Sequence, residues 1–172
     1  MKRICSIFLL GLVVLGCAEQ DKESNLRPLL TAQLKSAHTD QNWFVPTKLA
    51  LVGLSAKQAM RKDSTENHSI AELVSHIGYW NNVYLKVLGG EDFSDLDIDN
   101  EKTFEVYSDK EWENITIKLD SVQTEMKRIV EKASEEELAQ WATDILDLTA
   151  HNAYHTGQII YIRKQNSWWP NN

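Results

Sequence analysis

Residues 148–163 can bury their apolar side chains in one way. Leu148, Ile159 and Ile162 fall on one stripe at helical spacing, and His151 and His155 lie within it. Positions i and i+4 sit one above the other on a helix, so the two imidazoles converge on a face that must pack against a neighbour. His76 occupies an equivalent stripe, between Leu73, Trp80, Val83 and Val87. Histidine is the commonest metal ligand among side chains, and it is costly in an apolar stripe unless its nitrogens are satisfied. Three inward-facing histidines from two helices predict a three-His metal site with room for water. The alternative at each position is a packed histidine bonded to the backbone.

The rest of the chain reads as all-α. A first helix is predicted from about Leu26 to Ala37, with Pro28 in its opening turn. Pro46 fits the first turn of a short segment leading to Leu54, and Ser55 with Gln58 forms a capping box for a helix through Met60. Ser69 with Glu72 caps a second main helix that ends at Gly89 and Gly90. Residues 91–107 are acidic and aperiodic, which predicts a long surface loop. Ser108 with Glu111 opens a third helix, where Trp112, Ile115, Leu119, Val122, Met126 and Ile129 keep helical spacing. Ser134 with Glu137 predicts a separate short helical turn, and a fourth main helix runs from about Thr143 to Gln165. No segment alternates like a strand, and none repeats. His38 and His68 lie in polar flanks near helix ends and read as capping or surface residues.

The first residues belong to something else. Lys2 and Arg3 precede an apolar run from Ile4 to Leu15, too short for a comfortable membrane span, and Gly16 precedes Cys17. Val14-Leu15-Gly16-Cys17 resembles a bacterial lipobox, in which the chain is cut before the cysteine and that cysteine is acylated. Residues 1–16 are then a lipoprotein signal peptide, 17–24 a lipidated tether, and 25–168 the folded domain. An ordinary secretory peptide or an uncleaved signal anchor is the alternative. Without Lys2 and Arg3, 16 basic residues face 25 acidic ones, a net charge of about −9. Such a body, with no Lys/Arg patch, excludes nucleic acid as a partner and leaves the lipid as its attachment to a membrane. The only cysteines are Cys5 and Cys17, so the domain has no disulfide, thiolate ligand or cysteine nucleophile.

Two segments carry a family resemblance. Residues 67–80, with His76, and residues 151–158, which read H-x-x-Y-H-x-G-Q, are similar to the two metal-ligand segments of the DinB-like family. A weaker echo covers residues 42–46 and 53–59. The resemblance spans roughly residues 25–166. It implies an up-down four-helix bundle, with a long loop between the second and third main helices, that holds a divalent metal through His76, His151 and His155. It also implies chemistry, since relatives include thiol-dependent transferases and metal-dependent hydrolases.

Neighbouring residues refine that expectation. Asn152 stands where an H-E-x-x-H protease carries its base, which argues against peptidase action of that type. Asp147, one turn before His151, is a candidate to hold the free nitrogen of that imidazole or to act as a base. The alternative is a solvated carboxylate. Gln158, one turn beyond His155, is a candidate hydrogen-bond partner for a ligand or a neighbouring helix, and Gly157 would let helices approach closely. Imidazole ligands suit zinc and nickel, with iron or copper as alternatives. The expected reading is a metal-dependent hydrolase acting on a small molecule, on an exported, lipid-anchored domain that could pair as a homodimer. A non-catalytic binding bundle and a thiol-dependent transferase are the competing readings. Because imidazoles bind metal only when neutral, metal-derived stability is expected to fade below about pH 6.5.

Overall fold

The computed structural model describes residues 25–63, 67–106 and 108–170. The expected signal peptide, 1–16, and the expected tether with Cys17 lie outside them. The described residues form helices α1 (Leu26–His38), α2 (Thr47–Leu51), α3 (Ala56–Ala59), α4 (Ile70–Leu88), α5 (Asp109–Lys132) and α6 (Glu135–Gln165). None of these is long and apolar enough to cross a membrane.

The helix starts follow from local chemistry. Ser55, Ser69 and Ser134 each accept the N–H of the residue three positions on, and the side chains of Gln58, Glu72 and Glu137 accept the serine N–H in return. Ser108 likewise accepts from the Glu111 N–H. Each cap stabilises its helix by about 1 kcal/mol. One boundary differs from expectation. The predicted turn at Ser134 and the helix from Thr143 are a single helix of 31 residues. Leu138, Trp141, Ile145 and Leu148 keep one apolar spacing, and no glycine or proline interrupts it.

The four long helices make a bundle in which α1 and α4 each pack against both α5 and α6. Its core has two apolar halves. One contains Ile70, Leu73, Val74, Ile77, Trp112, Leu119 and Ile159, and the other Leu30, Leu34, Met126, Val130, Leu138, Ile145 and Leu148. Asn81, Gln123 and Asn152 lie between the halves on three different helices. Asn81 Nδ2 donates to Asn152 Oδ1 at 2.8 Å, while Asn81 Oδ1 accepts from Asn152 Nδ2 at 3.0 Å and from Gln123 Nε2 at 2.8 Å. Asn81 and Asn152 satisfy one another and Gln123 donates to Asn81, while Gln123 Oε1 is buried without a partner; the trio ties together α4, α5 and α6.

The acidic segment after α4 also departs from the sequence reading. It contains two 3-10 turns, Phe93–Asp95 and Glu101–Phe104, and the second folds back onto α4 with Thr103 buried. His38 is likewise buried at 6 % exposure rather than at the surface, because its Nε2 pairs with Asp120 Oδ1 of α5 at 2.9 Å. Lys48 shares that carboxylate at 2.7 Å.

Candidate metal centre

His76 projects from α4 toward α6, where His151 and His155 stand one turn apart. His76 Nε2 lies 3.0 Å from His151 Nε2, and His155 Nε2 lies 3.1 Å from the same atom. The three ligand atoms are all within 4.8 Å of one another. Bonds of about 2.0–2.1 Å to a tetrahedral or octahedral ion need ring nitrogens roughly 3–3.5 Å apart.

Hydrogen bonds on the far sides of the rings decide what faces inward. Thr103 Oγ1 donates its proton to the Asn100 carbonyl at 2.7 Å, so at 2.6 Å it accepts from His76 Nδ1–H. Gln158 Oε1 accepts from His155 Nδ1–H, also at 2.6 Å. Both histidines therefore turn a bare Nε2 lone pair inward. A single proton on His151 Nε2 would have to serve two lone pairs at once. A cation among the three nitrogens satisfies all of them, and three neutral imidazoles are a fitting donor set for a divalent transition metal.

The sequence candidates divide accordingly. The three rings come together as expected, and Gln158 holds one of them. Asp147 does not hold His151, whose Nδ1 is buried without a hydrogen-bond partner. Its exposed carboxylate instead borders a cavity of about 320 Å³ that His76, His151, Trp80, Tyr84 and Asn100 also line. Asn152 faces the core and bonds to Asn81, so it cannot serve the site as a base. Gly157 is exposed with nothing near its Cα hydrogens, and it borders a larger cavity of about 660 Å³ rather than a close helix contact. That larger cavity is lined by Gln158 but by none of the three histidines, whereas His76 and His151 line the smaller one. His68 stacks on Phe104 at 3.8 Å, and Phe104 stacks on His76 at 4.2 Å. Thr103 and Phe104 were missed because their segment has no period, and their role arises only when it folds back on α4.

A DinB superfamily profile matches residues 38–158. The chain belongs to the DinB superfamily. No curated protein and no solved structure matches it. The matched stretch contains His76, His151 and His155, so the geometric cluster lies inside it.

Two predictions arise at this DinB centre. Thr103→Val keeps the shape but leaves His76 Nδ1–H without an acceptor. It should weaken metal binding by roughly 10–100-fold, while Thr103→Ser stays near wild type in a competition titration with a chelating dye. Equal affinities for the valine and serine variants would remove Thr103 from the centre. The second concerns pH. Burial, then the neighbouring imidazoles, lower the His76 pKa to about 3, burial and His155 lower His151 to about 4, and burial lowers His155 too. Protons therefore compete with metal only well below the ordinary histidine value of about 6.5 expected from sequence. The sign for the metal-free fold is consistent. Unfolded histidines bind protons below about 6.5 while the folded ones do not, so stability present above that pH is lost as pH falls toward 4. Metal occupancy by equilibrium dialysis should be the same at pH 7.5 and 5.5, and a steep fall between them would contradict the buried, neutral ligands.

Proposed function

We propose that this chain is a metal-dependent hydrolase acting on a small molecule, carried on a lipid-anchored domain facing away from the cytoplasm. The observation that carries the reading is access: His76 and His151 both line the cavity between α4 and α6. A purely structural metal is normally closed off by protein ligands, whereas a catalytic one keeps an open position. A divalent metal held by His76, His151 and His155 would lower the pKa of bound water toward about 7. The chain's own groups supply the rest. Thr103 and Gln158 hold two rings in the ligating tautomer, and Trp80 and Leu148 make the cavity wall apolar. Asp147 lines the same cavity and would take a proton from water there. The absence of cysteine beyond Cys17 removes any thiol nucleophile from the domain.

The test begins with protein purified from its native host without chelator or affinity metal. Elemental analysis should give about one zinc or nickel per chain, and small ester, amide and phosphoester substrates are then assayed with and without chelator. Hydrolysis should vanish on chelation, and Asp147→Asn should lower kcat by roughly 10²-fold or more while metal content stays constant. Full metal content with no hydrolysis of any substrate class would favour a structural ion in a binding bundle. For the anchor, a fatty-acid analogue should label wild type and spare Cys17→Ser; equal labelling of both would refute lipidation at that residue.

A further inference from the structure

The cavity at the metal centre is a groove along α4 and α6 with a chemical gradient. His76, Trp80 and Tyr84 recur every fourth residue along α4. Opposite them, α6 offers His151, then Asp147 and Leu148 one turn away. Asp144 lies a further turn along, and its carboxylate, like that of Asp147, acts on Tyr84. Burial first and then these two carboxylates raise the phenol's pKa, so the hydroxyl remains a donor. Eight residues of helix separate His76 from Tyr84, about 12 Å at 1.5 Å per residue. One end of the groove therefore carries imidazoles, the middle an indole, and the far end a phenol with carboxylates.

No lysine or arginine lines this cavity. Lys86, on the same helix, pairs with Glu91 at 3.6 Å, and Lys102 of the packed acidic segment pairs with Asp99 at 3.1 Å. An anionic group at the far end would meet Asp147 with no compensating cation. A cationic ammonium would meet aromatic faces and a carboxylate together, the combination that recognises such groups elsewhere. The metal's own charge favours placing the ammonium toward Tyr84, the end of the cavity two helical turns from His76.

We infer that the groove between α4 and α6 selects small molecules carrying an ammonium group, held by Trp80, Tyr84 and Asp147 one to two turns from the three histidines. The inference takes the reactive end from the hydrolase reading, but ammonium recognition is measurable without turnover. Choline is the probe, and 3,3-dimethylbutan-1-ol is its neutral isostere, titrated by calorimetry into the protein as purified and again after chelation. Choline should bind roughly tenfold or more tightly than the alcohol in both forms. Trp80→Leu and Asp147→Asn, each confirmed as folded by its melting curve, should bring that ratio to within about threefold. The inference is overturned if the alcohol matches choline in the wild type, if choline does not saturate by about 50 mM, or if both variants keep the full ratio. A protein that retains no metal yet discriminates choline would defeat the hydrolase reading and leave ammonium recognition standing. Metal-dependent hydrolysis without discrimination would do the reverse.

Discussion

His151→Ala should abolish most of the metal-dependent rise in melting temperature. Its Nε2 is the atom that both other ligand nitrogens approach, at 3.0 and 3.1 Å, so removing it leaves His76 and His155 without their shared neighbour. Loss of an outer partner of a ligand already costs 10–100-fold in affinity, and loss of the ligand itself should cost at least about 100-fold. An ion that binds only the folded state adds about 2.7 kcal/mol at a hundredfold excess over Kd. For a chain of this size that is a rise of roughly 5–11 °C. Wild type should show that difference between chelated and metal-supplemented samples, and His151→Ala should show almost none. His38→Ala, which breaks the contact to Asp120, should melt earlier but keep the full metal-dependent rise. A wild type whose melting ignores both chelator and metal would leave the histidines as packing residues.

The second large effect is expected at Arg163, far from the metal in role. This guanidinium is 2 % exposed, and it donates to the Ala50, Val52 and Trp168 carbonyls at 2.6, 2.9 and 3.0 Å. The first two close the C-terminal end of α2, where carbonyls lack helical partners and the helix dipole favours a positive charge. Trp169 covers the guanidinium at 5.0 Å. Arg163→Met keeps most of the volume and strands three acceptors, so it should cost roughly 2–4 kcal/mol by urea unfolding. A loss below about 1 kcal/mol would mean that water replaces the guanidinium. Metal affinity should be unchanged, since none of the three ligands bonds to Arg163.

Local chemistry was legible in the chain, and long-range contact was not. The serine caps at 55, 69, 108 and 134 occur where a hydroxyl precedes Gln or Glu by three residues, a pattern contained within four positions. The three histidines were visible because helical spacing aligns each with apolar neighbours. What escaped was set by partners far along the chain. His38 looked polar and peripheral until Asp120, 82 positions away, accounted for its burial. Thr103 became a partner of His76 only through a fold-back with no periodic signature. The false break before Thr143 came from reading a capping box as the start of a short element. A cap marks where a helix begins and contains nothing about where it stops.

The stack of His68, Phe104 and His76 has a consequence for how the protein could be watched in solution. The Phe104 and His76 ring centroids are 4.2 Å apart and their planes within 9° of parallel, so the imidazole stacks on the benzene face. Electrons circulating in that ring shield nuclei above it, and the carbon-bound protons of His76 should resonate upfield of those of an ordinary neutral histidine. His68, 3.8 Å away on the opposite face, should carry the same signature from the outside. The two resonances together would register whether the 101–104 turn is docked, giving the centre a built-in magnetic reporter that needs no label.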